Sequence, residues 1–204
     1  MSSVAYAVPD DRGAMGGMIS IGGGGYVGTG EDESGDRLSS PIGGSFNLSF
    51  GEEVWPRLFF GLSIDSHIGQ TQDQNYDAMF FAFGLETRYR LTQKQRGLIV
   101  LGGLGIGGGG FTFKKEASEK TPGGSSGGSV WKVGVGYEIE LSETPRGFTL
   151  VPRLIYHRLG PQMESQVSMD LISINFELMW TSGRQVSKQS QTQRLKESPK
   201  VALP

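Results

Sequence analysis

Residues 79–90 read Met-Phe-Phe-Ala-Phe-Gly-Leu-Glu-Thr-Arg-Tyr-Arg. Odd positions carry Met79, Phe81, Phe83, Leu85, Thr87 and Tyr89, and even positions carry Phe80, Ala82, Gly84, Glu86, Arg88 and Arg90. Successive side chains on a β-strand point to opposite faces, so this period of two makes one apolar face and one small or charged face. Segment 131–141 repeats it, with Trp131, Val133, Val135, Tyr137, Ile139 and Leu141 against Lys132, Gly134, Gly136, Glu138 and Glu140. Six further segments fit less regularly: 14–29, 43–51, 56–68, 97–113, 147–159 and 168–181. In 147–159 the pattern is weakened by Pro152, which cannot donate to a ladder. The pattern predicts eight strands, an even number, and no long helix.

Composition closes several other routes. The longest apolar runs are a few residues, far short of the about 20 that a spanning helix needs. The absence of cysteine excludes a disulfide scaffold and a thiolate metal site. Nineteen basic against 21 acidic residues give a net charge of -2, so no general basic field points to nucleic acid. The 33 glycines are about twice the usual share but show no Gly-X-Y period, which excludes collagen.

The connections carry a second signal. Polar stretches 30–42, 69–77, 114–128 and 160–167 alternate with short turns near 52–55, 92–96 and 142–146. An up-and-down barrel with all its long loops at one end would give this alternation. Together the four long loops carry about five net negative charges, so that end is expected to be acidic.

Two closed barrels share such a strand pattern. A soluble lipocalin-like carrier turns the apolar face inward; an outer-membrane barrel turns it outward. The polar face decides. It holds Arg57, Arg88, Arg90 and Arg153 against Glu86, Glu138, Glu140 and Glu177, with Asp65, His67, Lys132 and His157 as a smaller polar layer above them. A solvated surface has no need of balanced charge, whereas a narrow interior does. Glycines on the same face, among them Gly22, Gly24, Gly61, Gly84, Gly103 and Gly136, leave room for long side chains. The apolar face ends in Tyr89, Trp131, Tyr137, Phe148, Tyr156 and Trp180, which suits the aromatic girdles of a membrane barrel. The expected fold is therefore all-β: an eight-stranded antiparallel transmembrane barrel with a polar, charge-filled interior.

On these features the chain resembles the small eight-stranded outer-membrane barrels of the OmpA/OmpX type over about residues 14–181. The last strand, Met169-Asp-Leu-Ile-Ser-Ile-Asn-Phe-Glu-Leu-Met-Trp180, is similar to the terminal signal read by the barrel-assembly machinery. The resemblance implies a place in the bacterial outer membrane, contact with its lipid and lipopolysaccharide, and a non-catalytic structural or surface-interaction role, with the lumen plugged by ion pairs. The alternatives are a narrow channel for small solutes and the soluble carrier. A protein partner is expected either at the loops or at the tail, residues 183–204, which carries an excess of positive charge and reads as a solvated extension. Residues 1–13 form a separate segment in which Ala5-Tyr6-Ala7 has the form of an export-cleavage site, although a basic and an apolar stretch before it are missing. The expectation is a mature chain beginning near Val8.

No residue set is assigned to catalysis. Asp65-Ser66-His67 has the Asp-x-His spacing of omptin-type proteases, but those have ten longer strands. Residues two apart on one strand stand about 7 Å from each other, too far to pair directly. A His-x-Ser motif of lipid A deacylases is absent after both His67 and His157. Gly22–Gly25 and Gly107–Gly110 lack the Lys-Ser/Thr of a phosphate loop. No cofactor or metal is expected; Glu31, Asp32, Glu33 and Asp36 are read as a solvated acidic loop.

Overall fold

The computed structural model describes residues 16–31, 37–38, 40–55, 57–72, 76–91, 97–113, 125–141, 147–160 and 168–182. They form eight long strands: β1 (Gly17–Glu31), β2 (Pro41–Trp55), β3 (Leu58–Thr71), β4 (Tyr76–Arg90), β5 (Gly97–Phe113), β6 (Ser125–Glu140), β7 (Gly147–Leu159) and β8 (Ser168–Thr181). A two-residue bridge, Arg37–Leu38, folds back onto the end of β1. Every strand pairs antiparallel with its sequence neighbour, and β8 pairs with β1. Closure leaves no free edge along which another chain could add. The N-terminal segment and the tail lie outside the described residues.

The register fixes the size of the barrel. Partners run from Gly17 to Glu52, Phe60, Thr87, Gly102, Val133, Tyr156 and Ile172, and Ile172 pairs with Val27. The circuit returns to β1 at residue 27 after leaving it at residue 17, a shear of ten residues over eight strands. Strands so staggered tilt by about 35–45°, and eight of them leave an interior that side chains just fill.

Two sequence expectations change here. The strands run beyond the apolar belt, so stretch 69–77 is not a long loop. β3 reaches Thr71 and β4 starts at Tyr76, and the connection between them is shorter than 91–96 at the other end. Strict alternation of long and short connections therefore fails at this position, because Gln70, Thr71, Tyr76 and Asp77 stay in the ladder although most are polar. Pro152 is accommodated within a central strand at a local cost. The β6–β7 ladder pairs Gly136 with Arg153 and resumes at Ile139 with Leu150, skipping Tyr137 and Glu138 opposite Val151 and Pro152. Proline has no N–H to give to β6, and the ladder opens there.

The inward glycines answer to two demands. At Gly103 a Cβ would lie 2.8 Å from Lys132 Cε, and at Gly136 3.0 Å from Arg153 Cγ, so these two do make room for long cations. Elsewhere the crowding is backbone against backbone. A Cβ on Gly84 would lie 2.6 Å from Gly105 Cα, and one on Gly51 2.7 Å from Gly61 Cα. These pairs face each other across β4–β5 and β2–β3. Tight inward curvature, rather than the charges, demands glycine there.

Candidate functional site: the barrel interior and its apolar belt

Outward positions are almost all apolar. Ile19, Ile21, Phe46, Phe50, Phe81, Phe83, Val133, Leu154, Ile174 and Phe176 are among the large hydrophobic side chains exposed around the barrel. Tyr89, Trp131, Tyr137, Phe148 and Trp180 are exposed on this face too, and Tyr156 is half-buried on it. Tyr89, Tyr137, Phe148 and Trp180 stand toward the end where β2 joins β3, called here the turn end. Trp131 and Tyr156 stand toward the opposite end, the loop end, with ring centroids 5.2 Å apart. The Tyr156 hydroxyl donates to Asp170 Oδ1 at 2.5 Å, and Arg158 Nε lies 3.8 Å from the same oxygen. Charged outward residues thus begin where the apolar belt stops. This face arrangement is the reverse of a soluble carrier's.

Inside, shear brings charges from five strands to neighbouring levels. Arg88 on β4 donates from Nε to Glu86 Oε1 at 2.5 Å, from Nη1 to Glu177 Oε1 on β8 at 2.6 Å, and from Nη2 to Ser20 Oγ on β1 at 3.2 Å. Arg153 Nη1 on β7 stands 2.7 Å from Glu177 Oε2. Lys132 on β6 reaches Glu86 Oε2 at 2.5 Å, Asp65 Oδ2 on β3 at 2.7 Å and Ser63 Oγ at 2.8 Å. All six ionic side chains are 5% exposed or less, and three cations meet three carboxylates. Such a set is tolerable in a dry interior only when every charge is paired.

The expected charge cluster and the polar layer above it are therefore one network, joined by Lys132. Arg90 and Glu138 form a separate pair nearer the turn end, with Nε 2.6 Å from Oε2 and the guanidinium 4.7 Å over the Phe59 ring. Glu140 is half-buried at the end of β6. Arg57 does not join the cluster. It occupies the β2–β3 turn, half-buried, with φ at 73°; its N–H donates to Glu53 Oε1 at 2.9 Å and its carbonyl accepts from the Arg90 N–H. The turn breaks the alternation that the sequence had extended one residue too far.

Asp65 pairs with Lys132, not with His67. The His67 ring instead meets Tyr26, Phe80 and His157 edge-on, with centroids 5.1, 5.2 and 4.9 Å away. His157 Nε2 is 3.7 Å from Asp65 Oδ2. Among the described residues, no group of three or more His, Asp or Glu side chains could hold a metal.

Two apolar clusters were missed by the sequence reading. Tyr26, Ala78, Phe80, Ala82, Phe111, Val130, Leu159, Met169 and Leu171 pack together inside the loop end. Met18, Phe59, Ile99, Val151 and Met179 pack together toward the turn end. Apolar side chains thus flank the central charged network, with the Arg90–Glu138 pair beside the turn-end cluster. The signal was present: Phe59, Phe80, Ile99 and Val151 fall on the polar parity of their strands.

Closed ring, apolar exterior and charged middle define the class: the fold is that of the small eight-stranded outer-membrane barrels of the OmpA/OmpX type. Solved structures with this fold match the chain. Ail, the attachment invasion locus protein of Yersinia pestis, is 15% identical, with a TM-score of 0.56 over 80% of this chain and 98% of that one. A second Ail structure, in complex with the heparin analogue sucrose octasulfate, is 17% identical with a TM-score of 0.54 over the same shares. Neisserial surface protein A is 13% identical with a TM-score of 0.51, over 78% of this chain and 96% of that one. No protein-family model and no curated protein matches the chain.

Proposed function

We propose that the chain resides in a bacterial outer membrane as a closed barrel with a structural or surface-interaction role, and that residues joining the strands at the loop end make its external contacts. The carrying observation is the apolar belt around a ring whose charged network, at the level of the belt, is turned inward. Lipid is the solvent that suits such a belt. The apolar clusters toward each end of the charged network support a lumen closed to solutes rather than a channel. Among the neighbours named above are an attachment invasion locus protein and a neisserial surface protein, which accords with this role. The sulfated ligand of the Ail complex is not carried over, because the loops here are acidic and would repel a polyanion. They suit a basic protein surface or lipopolysaccharide bridged by divalent cations. Fractionation tests the placement: the protein should remain with outer membranes until detergent is added and should change gel mobility on boiling, and recovery in the soluble fraction would end the proposal. Planar-bilayer recording tests closure, since steady conductance above the lipid background would contradict it.

A further inference from the structure

The chain has two histidines, and the fold brings them together. His67 stands on β3 and His157 on β7, on opposite walls of the eight-stranded ring. Both side chains are buried, and their rings meet across the lumen with centroids 4.9 Å apart. The pair lies at a junction. On one side Phe80 stands 5.2 Å from the His67 ring and 5.8 Å from the His157 ring, and Tyr26 stands 5.1 Å from His67. Both aromatics belong to the loop-end apolar cluster. On the other side, Asp65 Oδ2 lies 3.7 Å from His157 Nε2 and opens the charged network.

This arrangement balances only with both rings neutral. The titratable and charged groups that face the pair are Tyr26 on β1, Asp65 on β3 and Lys132 on β6. Asp65 already holds Lys132 Nζ at 2.7 Å. Glu86 on β4, Arg153 on β7 and Glu177 on β8 lie further toward the turn end and are paired among themselves, with Arg88 and with Lys132. At the level of the pair β2 and β5 present serine, asparagine and glycine. A proton on either ring therefore adds a charge with no counter-charge of its own. Protons on both set two cations against each other across the lumen. Unmatched charge in so dry a place is costly.

We propose that the His67–His157 contact is an acid-sensitive crossbar: touching neutral rings tie β3 to β7 across the lumen, and protons taken up by the rings drive them apart and loosen the barrel. An unfolded chain exposes both imidazoles to water, where they take up protons near pH ~6.5. Unfolding then binds protons that the folded interior does not accommodate, so stability falls as the pH falls through that range. Ordinary carboxylates titrate near pH ~4, so a window ending at about pH 5.5 reports on the two rings.

Equilibrium urea unfolding of the barrel in detergent micelles, from about pH 8 to about pH 5.5, tests this. The unfolding constant should rise about tenfold per pH unit for each proton taken up. His67→Phe keeps a ring against Tyr26 and Phe80 but cannot take up a proton, and should lower the slope by about one proton. His157→Gln should do the same from β7 and serves if the first variant fails to fold. A wild-type constant unchanged across the window, or a slope as steep in a folded variant as in the wild type, overturns the proposal. The crossbar depends on the closed barrel and not on where the barrel resides, so fractionation and this titration fail independently.

Discussion

Lys132 is the residue whose removal the charged interior should tolerate least. Its Nζ is within 2.7 Å of Asp65 Oδ2 and 2.5 Å of Glu86 Oε2. At an effective dielectric constant of about 20, one such contact near 2.6 Å is worth roughly 6 kcal/mol of Coulomb attraction before desolvation is subtracted. Lys132→Met removes both contacts and leaves both carboxylates buried. Glu86 keeps Arg88 at 2.5 Å, but Asp65 is left with only the His157 imidazole, whose Nε2 is 3.7 Å away. The cost therefore falls mainly on Asp65. Breaking a buried pair from one side typically costs about 3–5 kcal/mol, which is the loss expected here. Equilibrium urea unfolding in lipid vesicles, followed by tryptophan emission, measures it. The double variant Lys132→Met/Asp65→Asn removes the stranded charge and should recover roughly half or more of the loss, as coupled neighbours do. A single variant within about 1 kcal/mol of wild type, or a double no more stable than the single, would refute the pairing.

Other positions give independent checks. Gly84→Ala forces a Cβ to within 2.6 Å of Gly105 Cα and should destabilise by about 1–3 kcal/mol in the same unfolding assay, because the β4–β5 backbones must separate. Pro152→Ala restores the N–H missing from the β6–β7 ladder; it should add about 1 kcal/mol of stability and slow amide exchange around Tyr137 and Glu138. Ile174→Arg places a charge within the outward belt and should cost about 2–4 kcal/mol in vesicles, whereas a water-facing position would tolerate it.

The strands were legible because each has one face in lipid-like surroundings and one inside, which imprints a period of two over ten or more residues. Their ends were not. Past the belt polar residues enter the strands, so Gln70, Thr71 and Asp77 read as loop while the ladder continues through them. The candidate charges could be named from parity alone. Their partners could not, because pairing depends on the shear that brings Lys132 of β6 beside Asp65 of β3 and Glu86 of β4. Arg57 shows the limit of parity: one turn residue with a left-handed backbone takes it out of the interior set. The apolar clusters were overlooked because Phe59, Phe80, Ile99 and Val151 count as breaks in a polar face when each strand is read singly. Closing the sheet makes them neighbours.

All three tryptophans, Trp55, Trp131 and Trp180, point outward, so their fluorescence reports directly on what surrounds the belt. The protein should be refolded into vesicles whose lipids carry bromine on the acyl chains, beside a control of unbrominated vesicles. An apolar face turned to lipid predicts strong quenching, greatest for bromines near the headgroup, because all three indoles stand toward the ends of the belt. Emission unchanged by brominated lipid would contradict the membrane barrel outright.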